Sequence, residues 1–321
     1  MSAAEKRMAV FSGSVAPELA EGIADELGIA LGDVKLEKFA NGEIYARFLS
    51  SVRDMDVFLI QSVAGQNVND ALMELLIMAD AAKRASARSI TAVVSHYGYA
   101  RQDRKAASRE PITAKLVADL MQASGITHII TIDLHVSQIE GYFNIPVDHL
   151  TALPVLAEYF RNKNLDNMCV VSPDMGRAKA AKRFADILGC DVAIMHKTRP
   201  AHNVAEITAL IGDVEGKTCI INDDMIDTGG SVVAAVSSLK AKGAEEVYLC
   251  ATHAVFSGPA YERLCNCDAK EVVVTDTIPV DKAKCGDKIS VVSIAPMLAE
   301  AIKDVHGGIA FDGSRHLDIV L

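Results

Sequence analysis

The chain has 321 residues, of which 50% are hydrophobic and 23% are charged, and it contains no tryptophan. This length allows two domains with separate cores, and the composition is typical of a globular α/β protein. The formal net charge of −10 argues against non-specific binding to nucleic acid, so a phosphate site must be a local basic pocket.

Cysteine usage and the N-terminus predict the compartment. The seven cysteines are scattered without the spacing of a disulfide framework, which favours a reducing compartment. The N-terminal segment resembles neither a signal peptide nor an apolar span of membrane length. We therefore expect a cytoplasmic protein without a membrane partner.

In the first half of the chain, short apolar runs alternate with amphipathic segments. They predict strands at 8–11, 57–60, 90–94 and 128–133, and helices at 17–27, from 69 onward and at 112–123. Asn41-Gly42, between the apolar segments 34–39 and 44–48, predicts a β-hairpin. Alternating strands and helices predict a parallel sheet with right-handed crossovers.

The same alternation begins again in the second half. It predicts strands at 169–171, 192–195, 218–221, 247–252, 272–274 and 291–293, and helices at 178–188, 232–240 and 296–305. We therefore predict an α/β protein with two related domains, 1–151 and 152–305, each a mainly parallel sheet flanked by helices. The tail 306–321 is expected to return to the first domain as an edge strand.

The segment 219–231 is the most informative in the chain. An apolar strand leads into Asp223 and Asp224 and then into the loop Asp227-Thr228-Gly229-Gly230-Ser231, after which a helix begins. Glycines let the backbone approach a ligand, and the N–H groups and dipole of a helix start attract phosphate. Carboxylates would repel a phosphate unless they hold ribose hydroxyls or a Mg²⁺ shell. The segment therefore predicts a site for a phosphorylated sugar, with an ordinary strand–helix turn as the alternative.

Four further polar segments follow predicted strands, where ligands bind in open parallel sheets. They are Tyr97-Gly98-Tyr99-Ala100-Arg101-Gln102-Asp103-Arg104-Lys105, Asp133-Leu134-His135, Ser172-Pro173-Asp174 and Lys197-Thr198-Arg199-Pro200. The first is a positive patch suited to a polyphosphate, although a solvated loop would also explain its basic residues. A histidine at a strand end is a ligand in some proteins and a structural group in others. The fourth segment opens a polar stretch that can act as a lid.

In this order, the five segments resemble those of the ribose-phosphate diphosphokinases, also called phosphoribosyl-diphosphate synthetases. The resemblance covers residues 11–305 and includes Phe39-Ala40-Asn41-Gly42-Glu43 and Arg109-Glu110-Pro111-Ile112-Thr113-Ala114-Lys115. It implies two phosphoribosyltransferase-like domains, usually assembled into a hexamer built from dimers. It also implies Mg²⁺-dependent transfer of the β,γ-diphosphate of ATP to the anomeric hydroxyl of ribose 5-phosphate, for nucleotide biosynthesis.

The resemblance also implies roles for individual residues. The residues expected to bind the nucleoside of ATP, from a neighbouring subunit, are Phe39, Asn41 and Glu43. Those expected to bind the rest of ATP are Arg101, Gln102, Asp103 and Arg104, with His135 and Asp174 as ligands of the bridging Mg²⁺. Those expected to hold ribose 5-phosphate, with a second Mg²⁺ through water, are Asp223, Asp224, Asp227, Thr228, Gly229, Gly230 and Ser231. The expected catalytic cations are Lys197 and Arg199.

Several positions depart from the family pattern. Arg177 follows Met175 and Gly176 where a small residue and two glycines are usual, and Asn222 replaces an aliphatic residue. His196 stands where an acid is more usual, and Thr198 interrupts a basic pair. These changes are expected to alter the backbone after Asp174 and the tuning of the lid.

The C-terminal segment 309–321 also lacks the usual ending, which contributes to a regulatory site for phosphate and ADP in the family. The resemblance places the rest of that site near Arg53, Arg84 and Arg109. We expect phosphate to activate with weaker affinity and ADP to inhibit mainly by competing with ATP, because an altered site loses differential affinity between states.

Two other functions fit parts of the pattern. A phosphoribosyltransferase would use the same sugar-phosphate loop but has no need of the basic loop at Arg101 and Arg104. A non-catalytic subunit would keep the fold, yet such proteins usually lose parts of the ATP loop, the metal histidine or the lid cations, which are all present here.

Overall fold

The computed structural model describes residues 7–65, 67–201 and 204–308. It divides into two compact units, one formed by the residues up to Thr151 with those from Ser293 onward, the other by Ala152–Val292. Within the described residues, no helix is both long and apolar enough to span a bilayer.

The first unit contains a parallel sheet and a separate hairpin. Its strands are β1 (Arg7–Ser12), β2 (Val34–Lys38), β3 (Ile44–Phe48), β4 (Met55–Gln61), β5 (Ser89–Val94), β6 (His128–Ile132) and β7 (Val147–Leu150). Its first three helices are α1 (Pro17–Leu27), α2 (Val68–Arg84) and α3 (Thr113–Ser124). The sheet has the order β1-β4-β5-β6-β7, and β2 pairs with β3 as the predicted antiparallel hairpin. The central strands are continuous apolar runs because a parallel sheet is buried on both faces.

The second unit contains a single mixed sheet. Its elements are α4 (Leu153–Asn162), β8 (Met168–Ser172), α5 (Ala178–Leu188), β9 (Asp191–Ala201), β10 (Val204–Ile211), β11 (Thr218–Ile226), α6 (Gly230–Ala241), β12 (Glu246–Ala254), α7 (Ala260–Asn266), β13 (Glu271–Thr275), α8 (Lys282–Cys285) and β14 (Ile289–Val292). The sheet order is β10-β9-β8-β11-β12-β13-β14. The chain moves from β8 to β9 on one side and then to β11 on the other, so a topological switch point lies between β8 and β11, where ligands bind in open sheets.

The last helix, α9 (Ala295–Gly307), belongs to the first unit, whereas the sequence analysis assigned it to the second domain. It packs against α1 so closely that a Cβ added to Gly22 would lie 3.1 Å from the Ala295 Cβ. Lys303 Nζ also donates to the Glu26 carbonyl at 3.0 Å. Periodicity predicted the helix but not its partner, which depends on tertiary packing. Residues 309–321, predicted to form an edge strand, lie outside the described residues.

The predicted polar lid after residue 195 is a β-ribbon in the structure, because β9 continues to Ala201. The described pairing of β9 with β8 ends at Ile194, and from Met195 onward the described partner is β10. In this ribbon Lys197 lies opposite Ile207 in the register. Sequence patterns did not predict this strand, because the segment is polar and contains Pro200. Proline is nevertheless tolerated in edge strands.

A hydrogen-bonded cluster around Asp56 on β4 joins α9 to the sheet. Its carboxylate accepts bonds from Arg88 Nε at 2.8 Å and Nη2 at 2.6 Å, and from Ser89 Oγ at 2.6 Å. His306 Nδ1 on α9 lies 2.9 Å from the same carboxylate. Burial would raise the pKa of Asp56, but the hydrogen bonds from Arg88, Ser89 and His306 outweigh it and lower the pKa to about 2.

Asp56→Asn is expected to lower the free energy of unfolding of the first unit by about 2 kcal/mol at neutral pH, because the pKa of Asp56 lies below its unfolded value. This contribution is complete above the unfolded pKa and is lost as pH falls through the folded pKa of about 2. Urea unfolding of both proteins from neutral to acid pH measures it. Asp80→Asn, which removes an exposed ion pair with Arg84, is the control. An unchanged acid dependence in Asp56→Asn contradicts the prediction.

Candidate functional site

The candidate sugar-phosphate site lies where β11 ends and α6 begins. The loop between them ends at Gly229, whose φ of 75° is left-handed, and α6 begins at Gly230. Glycine suits this conformation, which costs other residues about 1 kcal/mol or more. The first N–H groups of a helix lack partners within the helix, so the start of α6 offers donors to an anion. The structure therefore places a strand end, a glycine loop and a helix start together, as the sequence analysis predicted.

Two carboxylates and a guanidinium occupy the switch point beside this loop. Asp223 and Asp224 lie on β11, and Asp224 N–H donates to Asp223 Oδ1 at 2.9 Å. Arg177, in the turn after β8, places its Nε 3.7 Å from Asp223 Oδ1. Burial and the neighbouring Asp224 raise the pKa of Asp223 well above its ordinary value, whereas Arg177 lowers it. The sequence analysis noted Arg177 as a departure but did not place it in the site.

The sequence analysis missed Arg263, which contacts the glycine loop from α7. Its Nη1 donates to the Thr228 carbonyl at 3.0 Å, and a Cβ added to Gly230 would lie 3.3 Å from the same nitrogen. The loop is also held by Ser257 N–H, which donates to the Asp227 carbonyl at 3.0 Å. The only signal for these residues is that they follow β12, the strand next to β11.

The basic loop after β5 lies at the carboxyl edge of the first sheet. Gly98 is required there because an added Cβ would lie 2.7 Å from the Val63 carbonyl. The Gln102 amide anchors the loop to α3 by accepting from Thr113 Oγ1 at 2.6 Å. Arg101 and Arg104 are exposed on this loop, as a site for a phosphorylated ligand requires. The Asp103 carbonyl accepts a hydrogen bond from Tyr142, which follows β6.

The segment Asp133-Leu134-His135 leaves β6 at the same edge. Asp133 has a φ of 38°, and its N–H donates to the Leu150 carbonyl at 3.0 Å. The Leu134 N–H donates to His149 Nε2 at 2.9 Å, so Nδ1 of that ring carries a proton and donates to Glu140 at 2.5 Å. His135 is half-buried.

The three residues expected to bind the nucleoside lie in the exposed turn of the hairpin. Asn41 Oδ1 accepts the Glu43 N–H at 3.2 Å, and Phe39 N–H donates to the Glu43 carbonyl at 2.8 Å. The Phe39 side chain is 52% exposed, with its ring centroid 5.9 Å from that of Tyr45. An exposed aromatic ring on a fixed turn is suited to contact another molecule.

The remaining predicted residues are placed as follows. Asp174 follows β8, and its Oδ1 accepts the Arg177 N–H at 3.1 Å. Lys197 and Arg199 lie on the β9–β10 ribbon. Across the described parts of the chain, no group of three or more His, Cys, Asp or Glu side chains is arranged to hold a metal ion.

The fold and the site define the class of protein. Both units are built on sheets that are wholly or mainly parallel, and the second carries an acidic strand end followed by a glycine loop at a helix start. These features are those of a phosphoribosyltransferase-like α/β protein.

Comparisons with known proteins show which family within this class the chain resembles. Residues 8–125 match the model of the N-terminal domain of ribose phosphate pyrophosphokinase, and residues 200–312 match the phosphoribosyl synthetase-associated domain. Ribose-phosphate pyrophosphokinase of Clostridium acetobutylicum is 52% identical over 303 residues, 94% of this chain and 95% of the relative. That of Caldanaerobacter subterraneus is 54% identical over 302 residues, with the same coverage of 94% and 95%.

A solved structure agrees with these relatives. The phosphoribosylpyrophosphate synthetase of Mycobacterium smegmatis is 46% identical, with a TM-score of 0.89 over 94% of this chain and 100% of that one. The chain belongs to the ribose-phosphate pyrophosphokinase family.

Proposed function

We propose that this enzyme transfers the β,γ-diphosphate of ATP to the anomeric hydroxyl of ribose 5-phosphate, giving 5-phosphoribosyl 1-diphosphate and AMP. The observation that carries the proposal is the presence in one chain of two strand-end loops for phosphorylated ligands. One is the basic loop after β5, and the other is the acidic, glycine-rich loop after β11. A phosphoribosyltransferase needs only the second loop.

Some of the proposed site residues bind the substrates, and others stabilise the charge that develops during transfer. The basic loop with Arg101 and Arg104 binds ATP and its phosphates, while the carboxylates of β11 hold ribose hydroxyls and the start of α6 holds the 5-phosphate. Phosphoryl-type transfer requires in-line positioning and neutralisation of spreading charge more than covalent assistance. Lys197 and Arg199 supply positive charge to the group in transfer.

We also propose Mg²⁺ as the cofactor, with His135 in the first unit and Asp174 in the second as the ligands that the family resemblance implies. Both side chains are half-buried, and one oxygen of Asp174 already accepts a backbone hydrogen bond. Mg²⁺ keeps much of its shell as water and substrate phosphate, so few protein ligands suffice. When bound, the ion neutralises phosphate charge.

The proposed reaction is tested by mixing the protein with Mg²⁺, ATP and ribose 5-phosphate and measuring AMP. AMP formed only in the presence of the sugar phosphate supports the proposal. ADP as the nucleotide product, or no turnover, contradicts it, and no turnover favours the non-catalytic subunit.

We further propose a homo-oligomer, a hexamer built from dimers. Leu116 and Leu120 lie one turn apart on α3, and with Ile112, which directly precedes the helix, they form an apolar stripe whose residues are 54%, 41% and 38% exposed, respectively. Clustered exposed apolar residues mark protein interfaces. The exposed Phe39 turn is the part expected to contribute to a neighbour's nucleotide site.

Leu116→Glu is expected to convert the oligomer into smaller species, because a charge in an apolar interface is strongly unfavourable. Light scattering coupled to size-exclusion chromatography measures the mass. Glu21→Ala, at an exposed position of α1, is the control. An oligomer of unchanged mass in Leu116→Glu excludes the stripe as an interface.

A further inference from the structure

We propose that Arg177 is a positioning residue for ribose 5-phosphate, whose guanidinium balances the charge of Asp223 and Asp224 so that the sugar phosphate binds there without a divalent cation. The inference rests on the proposed function and concerns the second unit alone. It replaces the water-held second Mg²⁺ that the family resemblance implied for this pair.

The backbone holds Arg177 at the switch point. Ser172 Oγ, at the end of β8, donates to the Asp174 carbonyl at 2.7 Å. The Asp174 side chain then accepts the Arg177 N–H at 3.1 Å, which fixes the turn that leads into α5. Since β8 and β11 are neighbours at this edge of the sheet, a side chain from this turn reaches the carboxylates of β11. The backbone at Arg177 is therefore fixed by two hydrogen bonds of the turn.

The geometry of the guanidinium points to a ligand. The Arg177 side chain is 22% exposed and that of Asp223 is 21% exposed, with 3.7 Å between Nε and Oδ1. This distance allows charge attraction but is too long for a hydrogen bond. Arg177 Nε is buried, and in the described part of the chain it has no hydrogen-bond partner. A buried donor without a partner is unfavourable, so this side chain favours a bound ligand that supplies an acceptor to the guanidinium.

The charges favour an organic ligand over a second metal ion. The two adjacent carboxylates repel each other, and Arg177 lowers the pKa of Asp223 against burial and Asp224. A divalent cation at Asp223 would meet the guanidinium at close range, where like charges are unfavourable. A ribose hydroxyl can donate to a carboxylate and accept from the partly exposed Arg177 guanidinium, so it is complementary to both groups. The arrangement is complementary to a sugar hydroxyl.

The experiment measures the affinity for ribose 5-phosphate by calorimetry without ATP, once in excess EDTA and once in Mg²⁺. The wild-type affinity is expected to agree between the two buffers within about twofold. Arg177→Met is expected to bind on the order of tenfold more weakly in EDTA, with recovery in Mg²⁺. Arg177→Gly, which restores the usual glycine turn and needs no space, is expected to behave in the same way.

Two further variants separate charge from structure. Arg177→Lys keeps the positive charge and is expected to retain most of the affinity in EDTA. Lys182→Met removes a charge from an exposed position of α5 and is expected to match the wild type. A merely structural role for Arg177 would not produce a loss that Mg²⁺ reverses.

The outcomes distinguish this inference from the proposed function. If the wild type makes AMP but binds ribose 5-phosphate only in Mg²⁺, or if Arg177→Met and Arg177→Gly bind it normally in EDTA, the inference is wrong and the proposed function stands. If the wild type neither binds ribose 5-phosphate nor forms AMP, the proposed function is overturned and the inference falls with it.

Discussion

Lys197→Ala or Arg199→Ala is expected to lower kcat on the order of 10²–10³-fold, with the Kd values of both substrates nearly unchanged. Both residues lie on the part of β9 beyond Ile194, where its described partner is β10. The two cations stand two residues apart on the same strand. AMP formation gives kcat, and titration of each substrate gives the Kd values.

Thr198→Ala is the matched control, because Thr198 lies between the two cations in the sequence and carries no charge. Its kcat is expected to change little. Unchanged kcat with a large rise in the KM for ATP, in either cation variant, would show that the residue binds ATP in the ground state.

Asp227→Asn is expected to raise the Kd of ribose 5-phosphate by about 10–100-fold and that of ATP by less than about twofold, because a charged hydrogen-bond acceptor for a ribose hydroxyl is lost. The Asp227 carbonyl is held by Ser257 N–H, so the change does not remove the main-chain anchor of the loop. Direct titration of each substrate measures both values.

Asp213→Asn, in the exposed turn before β11, controls for the loss of a negative charge in the second unit. It is expected to leave both affinities unchanged. Equal weakening of both substrates by Asp227→Asn would remove the basis for assigning the loop to the sugar phosphate alone.

Local sequence signals were sufficient for most of the fold. Apolar runs and helical spacing located most strands and helices of both units, although not β7, β10, α4 or α7, and Asn41-Gly42 located the hairpin. Such signals depend on neighbours along the chain. The packing of α9 on α1 and the β9–β10 ribbon depend on contacts between distant or weakly patterned segments, so they could not be predicted.

In the candidate site, too, local sequence signals predicted only the features formed by consecutive residues. The loop 227–231 was predictable because strand, acids, glycines and helix are consecutive. The contact of Arg177 with Asp223 requires β8 and β11 to be neighbours, and the contact of Arg263 with Thr228 joins residues on different elements. Local sequence patterns do not determine the order of strands in a sheet. The contacts of these two arginines could therefore be found only in the structure.

The regulatory and cellular expectations stay predictions. Of the residues expected to bind phosphate or ADP as effectors, Arg84 forms an ion pair with Asp80 at 2.6 Å, and Arg53 and Arg109 are exposed. The altered segment 309–321, on which the expected weakening depends, lies outside the described residues. A cytoplasmic location likewise rests on the sequence.

The return of α9 to the first unit has a consequence for synthesis on the ribosome. The second unit is one continuous stretch of chain, Ala152–Val292, whereas the first is missing α9 until the residues that follow the second unit have been made. Domains fold as units once their residues have emerged from the ribosome. The second unit can therefore complete its fold before the first unit, although the first unit begins to be translated earlier. Until α9 has been synthesised, the face of α1 that packs against it stays exposed. A nascent chain that stops before residue 295 would carry a complete second unit and an N-terminal unit recognised by chaperones and proteases.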